Sequence, residues 1–272
     1  MSAVQLLNKK EETITARHPS NQKEGTIGPN PSNTAAKKKA KSPLWKRLYV
    51  AFTVVVLAAV AGDTIWKASG SAEWKLAKDE DGVKVYTLKV PGDKLIKTKT
   101  VMEGDYTLSQ VAAPHIIDHN LETCKKWIPN CSAVKVIKDF DPVTRNSVDM
   151  WTLDFPSPFR DRELLISTIA SQDKASKAVA LDVVVLPNVL PHNEGIVRVE
   201  HMHNRWKFTP TRNGKVEVEL IQDTNLGGSF PYFMMNMVIA DESHAFFRNE
   251  LRKVLLEEKY VNARFDFIDD IR

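Results

Sequence analysis

The chain has 272 residues, enough for one large domain or two small ones. Its 43% hydrophobic and 26% charged residues are ordinary for a globular protein. The net charge of +4 is concentrated in Lys37, Lys38, Lys39, Lys41, Lys46 and Arg47. The rest is near neutral and lacks the basic face that a nucleic-acid binder needs.

Residues 1–43 are rich in Ser, Thr, Asn, Gln, Pro and Lys and show no apolar periodicity. Such a composition does not offset the entropy of ordering, so disorder is expected there. An apolar run from Leu48 to Gly62 follows, interrupted by Thr53 and stopped by Asp63. Its length suits a signal-peptide core and falls short of the ~20 residues a spanning helix prefers. Ala59-Val60-Ala61 fits a cleavage pattern; counting Ile65 and Trp66 instead gives a membrane anchor over residues 44–66. Both readings stay open, beside the plainer one of a buried core helix. In the first two, the basic cluster stays in the cytoplasm and everything after Gly62 is translocated, to the periplasm in a bacterium or outside the cell if secreted.

A globular pattern occupies residues 71–262, with 263–272 left as a tail. Trp74 sits in a short helix candidate. Ile96, Thr98, Thr100 and Met102 alternate with Lys97 and Lys99, and Val216, Val218 and Leu220 with Lys215, Glu217 and Glu219. Period-two alternation predicts antiparallel strands with one face on the core and one on water. Further strands are expected at 133–140, 146–155, 163–171, 178–186 and 196–208, separated by Asp141-Pro142, Phe155-Pro156-Ser157-Pro158, Pro187-Asn188 and Asn213-Gly214. A helix is expected over 107–126, capped by Thr107 or Ser109.

Cys124 and Cys131 form no CxxC pair or Cys/His cluster, so neither a metal nor a cofactor is expected. Two free thiols near the core is the plain reading. A disulfide closing a small loop requires an oxidising compartment.

The chain closes with a long helix, Pro231 to Tyr260, with Ser229 as its cap. Phe233, Met237, Ala240, His244, Phe247, Leu251 and Val254 recur in steps of four and three, forming one apolar stripe. Asp241, Glu242, Arg248, Arg252, Glu257 and Glu258 occupy the opposite face. The expected fold is therefore α+β: a curved antiparallel sheet whose concave face is covered by one terminal helix.

Three motifs lie on these elements in order. They are Phe155-Pro156-Ser157-Pro158-Phe159-Arg160-Asp161-Arg162-Glu163, the strand Trp206-Lys207-Phe208-Thr209-Pro210, and Asp223 to Asn236 with Gly227-Gly228-Ser229-Phe230-Pro231. Together they resemble the START family of lipid-transfer domains, in its bacterial type with an export or anchor segment, over about Ser71 to Val261. The resemblance implies a helix-grip (START/Bet v 1-like) fold, a hydrophobic tunnel closed by the C-terminal helix, and carriage of one sterol, phospholipid or ceramide-like lipid at a time. Some members of the wider superfamily are cyclases or thioesterases. The acid–arginine pair of a sterol tunnel is not apparent, because the strand after Arg162 reads Glu163-Leu164-Leu165-Ile166 with no interior arginine.

The expected tunnel walls are Trp151, Leu153, Phe155, Phe233, Met237, Phe247 and Leu251. Asp149 shares parity with Trp151 and Leu153 and would meet a head group, unless it is a solvent-facing acid. His244 lies in the apolar stripe and would bond a ligand hydroxyl, unless it simply packs. His201 is a further ligand-facing candidate, on the strand of the Trp206 motif. With His203 and His244 it lacks a carboxylate or Cys to complete metal-ligand spacing. Asp161, Arg162, Trp206, Gly227, Gly228 and Pro231 read as structural. No nucleophile elbow, P-loop, dinucleotide fingerprint or HExxH is present. The expectation is a non-enzymatic, monomeric carrier whose partners are a lipid and a membrane surface. A tunnel hydrolase using His244 or Asp149, and a membrane-tethered sensor or scaffold, are the alternatives.

Overall fold

Asp81-Gly82 reverses the chain between two short strands, β1 (Lys75–Glu80) and β2 (Val83–Leu88). Their φ angles of 52° and 71° are what a tight hairpin turn with right-handed strand twist demands. This hairpin replaces the helix expected at Trp74, and its Asp-Gly signal stands in the sequence. The computed structural model describes residues 44–228 and 232–270. The disorder expected of 1–43, the Ser229 cap and the Pro231 start fall outside these residues.

The chain divides into two units, Met1–Gly62 and Asp63–Arg272. The apolar run lies within helix α1 (Leu44–Ala68), which has no buried residue and whose most apolar 18 residues have a mean hydropathy of 2.0. At 1.5 Å per residue, its 25 residues span about 37 Å, more than the roughly 30 Å of a bilayer core.

In the second unit the alternating segments become β3 (Lys97–Gly104), β4 (Cys131–Asp141), β5 (Asn146–Leu153), β6 (Arg162–Gln172), β7 (Val179–Val185), β9 (His201–Pro210) and β10 (Val216–Gln222). The strand expected over 196–208 is split. Its first residues form β8 (Val197–Arg198), parallel to β6, before β9 begins. A two-residue β11 (Thr224–Asn225) adds to β9. The main sheet is curved and open, with order β1-β2-β3-β10-β9-β7-β6-β5-β4 and antiparallel neighbours along that path.

The helix expected over 107–126 is broken by its own residues. Thr107 caps α2 (Leu108–Ala112) in a reciprocal capping box with Gln110. Pro114, lacking an N–H, falls in a following 3-10 turn, Ala113–His115. Asn120 then caps α3 (Leu121–Trp127). Ser109 is not a cap; its backbone N–H donates to Asp270.

The terminal helix is also shorter than expected. It runs as α4 (Tyr232–Ala245), a π-helical turn (Phe246–Leu251) and α5 (Arg252–Leu255), and α6 (Glu258–Val261) follows a break. Beyond it, the stretch assigned to a tail packs back on the domain. Phe267 stacks on Phe140, and Asp269 pairs with Lys177.

Cys124 and Cys131 are joined, not free thiols. They anchor a second apolar cluster with Leu153, Leu164, Ile166, Val199 and Met202, separate from the main core around Trp206, Phe208, Phe247 and Leu251. Reducing this bond, which links residues seven apart, is expected to lower the unfolding free energy by about 2–3 kcal/mol on the loop-entropy scale. Urea unfolding with and without reductant measures it, and coincident curves would show that no bond is present.

Candidate functional site

Strand register decides what faces inward. Asp149 lies opposite Ile166 and Trp151 opposite Leu164 across β5 and β6. Thr168 lies opposite Val183 on β7, Val183 opposite Asn204 on β9, and Trp206 opposite Leu220 on β10. Because side chains alternate faces with period two, these residues share one concave face. They form the floor of a cavity of about 410 Å³.

One wall comes from the α2–α3 connector: Pro114, His115, Asp118, His119, Lys126 and Trp127. The other comes from the terminal helix: Ile239, Ser243, Phe246 and, at an exposed rim, Glu242, Asn249 and Glu250. Most of the lining is apolar, as a pocket for an apolar ligand requires. Trp127 is held by His115 stacked at 4.9 Å and by Phe246 at 5.5 Å, while Trp206 stacks on Phe247 at 5.8 Å. Such aromatic pairs add about 0.5–1.5 kcal/mol each beyond the area they bury.

Polar groups gather at Asp149, which is 3% exposed. His119 Nδ1 meets Asp149 Oδ2 at 2.6 Å, and His119 Nε2 meets the Ile116 carbonyl at 3.0 Å. A carboxylate and a carbonyl both accept, so this geometry favours a ring that donates from both nitrogens. Burial lowers the His119 pKa, but the Asp149 carboxylate and the Ile116 carbonyl outweigh it and hold the value above 6.5. Asp149 Oδ1 and Trp151 Nε1 are buried and make no hydrogen bond within the protein. Burial, with the charge of His119 second, pushes His115 down to about 3, so that ring is neutral. Asp118 accepts from Lys259 and from the Tyr260 hydroxyl; burial raises its pKa, but these bonds hold it below the usual range. At another point of the wall, Ser243 and Thr98 each donate to Gln222 Oε1 at 3.1 Å, tying α4 to β3 and β10.

Of the sequence-derived candidates, Asp149 and Trp151 line this cavity. Leu153 shares their face but lies in the disulfide cluster, where Phe155 packs under the Arg162 guanidinium at 4.8 Å. His201 is on the surface, paired with Asp223 at 3.0 Å. His244 Nε2 bonds the Glu80 carbonyl at 3.0 Å. Phe247 and Leu251 are buried in the main core, while Phe233 and Met237 are 67% and 77% exposed. The face of this helix that lines the cavity thus lies one residue away from its apolar stripe. Residues 240, 244, 247 and 251 face the core, and 239, 243, 246 and 250 face the cavity. The π turn, with its extra residue, lets Phe246 and Phe247 both point inward. His115 and His119, outside the expected set, also line the cavity, and their spacing of four within the segment expected to be helical is the signal the sequence holds for them. A buried acid–arginine pair does exist, Glu163 with Arg198, but it lies outside the cavity lining and holds the carbonyls of Pro187 and Pro191.

The START domain family model matches residues 67–259. An uncharacterised protein of Pseudomonas aeruginosa is 31% identical over 188 residues, covering 67% of this chain and 88% of its own length. Among solved structures, a STAR-related lipid transfer protein fragment from Xanthomonas axonopodis superposes with a TM-score of 0.57 at 24% identity, covering 67% of this chain and 98% of that one. Human StAR-related lipid transfer protein 5 gives 0.53 at 17% identity, covering 75% and 97%. At these identities the structural likeness concerns the fold.

The two histidines predict opposite pH limbs. His115 has a folded pKa of about 3, below the roughly 6.5 of the unfolded chain. Its contribution is complete above about pH 6.5 and is lost as pH falls toward 3. The His119 value is raised, so its contribution is complete below about pH 6.5 and is lost as pH climbs through the folded value. Melting curves against pH are expected to show His115→Phe flattening the acid limb and His119→Gln the alkaline one.

Proposed function

The chain belongs to the START domain family, and from that premise we propose that it holds one lipid in its cavity and carries it between membranes without catalysis. The observation that carries this reading is a mostly apolar cavity of about 410 Å³ between the sheet and the terminal helix, with Asp149 and Trp151 among the residues that form it. Each CH₂ moved from water into such walls gains about 0.8 kcal/mol. The tunnel-enzyme alternative loses one of its base candidates, His244, which is bonded to the Glu80 carbonyl and absent from the lining.

We propose that α1 targets the chain to a membrane, as an anchor or as a cleaved signal, since it is long and apolar enough to cross a bilayer. The basic cluster before it would stay in the cytoplasm. The carrier domain, residues 71–262 on this reading, would then work as a monomer on the far side, where a Cys124–Cys131 disulfide persists. Phe233, Met234 and Met237 form an outward apolar patch on α4, suited to touching a membrane surface while the lipid passes.

Full-length protein from a lipid-containing host is expected to retain one lipid per chain by native mass spectrometry. Retention of no lipid would falsify the reading. Replacing Phe233 and Met237 together by Asp is expected to slow lipid transfer between vesicles at least several-fold, with lipid occupancy unchanged.

A further inference from the structure

The part of the cavity wall that α3 supplies is a covalently closed loop. Cys124 and Cys131 are its ends, and Lys126, Trp127, Ile128 and Pro129 inside it line the cavity. The Trp127 ring meets Trp206 of the floor at 5.9 Å and Phe246 of the terminal helix at 5.5 Å. The disulfide itself borders the cavity. Its apolar cluster includes Leu164, Ile166 and Met202, which also belong to the cavity lining, and Ile128 packs against that cluster.

The other fastenings of this loop are weak or local. α3 has seven residues, about half the length at which an isolated helix becomes marginally stable. Asn120 caps its start by accepting from the Thr123 N–H at 3.0 Å, and leaves its far end untouched. Lys126 meets Glu257 at 2.7 Å, but both side chains are partly exposed, and such pairs stabilise little. Asn130 exchanges two hydrogen bonds with Asp154, which hold the turn after the lining residues. The disulfide is the tie that joins α3 directly to the main sheet, at the first residue of β4.

Cys124 and Cys131 are buried, at 1% and 2% exposure. A reductant therefore reaches the sulfurs only when the loop lifts from the sheet, a local opening. A lipid packed against Trp127 and Ile128 loses those contacts when the loop lifts. Lipid retention and the disulfide are thus coupled, and such coupling is reciprocal.

We infer that the Cys124–Cys131 disulfide is a redox latch on the cavity. Oxidised, it holds the Trp127 wall and the lipid is retained; opened by a dithiol reductant, it lets the wall loosen and the lipid leave. This rests on the lipid-holding reading above and adds its regulation. In the exchange, one thiolate of the dithiol attacks a cysteine sulfur and the S–S bond breaks as a mixed disulfide forms. The second thiolate then displaces that cysteine. Two electrons and two protons pass to Cys124 and Cys131, which become thiols, and the dithiol becomes a disulfide.

The test poises full-length chain, in mild detergent, in mixtures of reduced and oxidised dithiothreitol, with and without 1-monomyristoylglycerol as a neutral single-chain probe. Alkylation with iodoacetamide counts thiols by mass. Native mass spectrometry reads occupancy by the probe and by any lipid carried from the host, and near-UV circular dichroism reports the packed core. Reduction is expected to lower occupancy several-fold with the core signal kept. The probe is expected to protect the disulfide by the same factor at equilibrium. The double variant Cys124→Ala, Cys131→Ala is expected to match the reduced chain. Unchanged occupancy on reduction, or two thiols before any reductant is added, overturns the latch while leaving lipid holding intact. Loss of lipid together with the core signal also overturns it, because the release is then global unfolding. An oxidised chain that holds neither probe nor host lipid overturns both readings. The wild-type titration decides the matter even where the double variant fails to fold.

Discussion

One antiparallel sheet, curved and open at both edges, has to have its concave face covered, and a single helix is the main cover available to it. Register across β5, β6, β7, β9 and β10 brings Asp149, Ile166, Val183, Trp206 and Leu220 onto that face. Protein interiors otherwise pack to crystal density. Here the terminal helix meets the β1–β3 end through His244, Phe247 and Leu251 and stands off from the β5–β6 end. The void left between them is the cavity. It follows from a geometric mismatch between one helix and a wide sheet.

The gap is closed on its other side by the connector between β3 and β4. Three side chains fasten that connector: His119 to Asp149 on the sheet, Asp118 to Tyr260 and Lys259, and Lys126 to Glu257 near the C-terminal end. The disulfide adds a fourth tie between α3 and the start of β4. Each ion pair that is partly exposed stabilises little by itself. Their common effect is positional: they hold His115 and Trp127 against Trp206, where they form a wall.

The motifs that mark the family sit mostly outside the cavity. Asp161 accepts from the Phe155 N–H at 2.9 Å and fixes the turn. Arg162 donates to the carbonyls of Leu226 and Gly227, so the first motif and the glycine turn are one assembly in space. Gly227 and Gly228 have φ of 69° and 64°, a conformation that resists other residues, and a Cβ at Gly228 would come within 3.4 Å of Arg162. Trp206 is the exception, lining the cavity as well as anchoring the core.

Strand periodicity, the order of the motifs and the apolar run near the N-terminus were legible without coordinates, because each depends on residues close together in the chain. The α+β helix-grip architecture followed from them, and so did Asp149 and Trp151, whose shared parity on one strand is a local fact. The Asp81-Gly82 hairpin and the Pro114 break are equally local, each set by one or two residues. The rest of the site depended on contacts distant in sequence. The side of the terminal helix that faces the cavity is set by a π turn and by packing on β1–β3, neither of which a 3.6-residue period encodes. His119 reaches the cavity only because the connector folds over a strand thirty positions away. The sequence by itself determined what kind of sheet forms and which side chains are available to it. Tertiary structure alone decided where the sheet is left uncovered, because a cavity is the place where packing between distant elements fails to close.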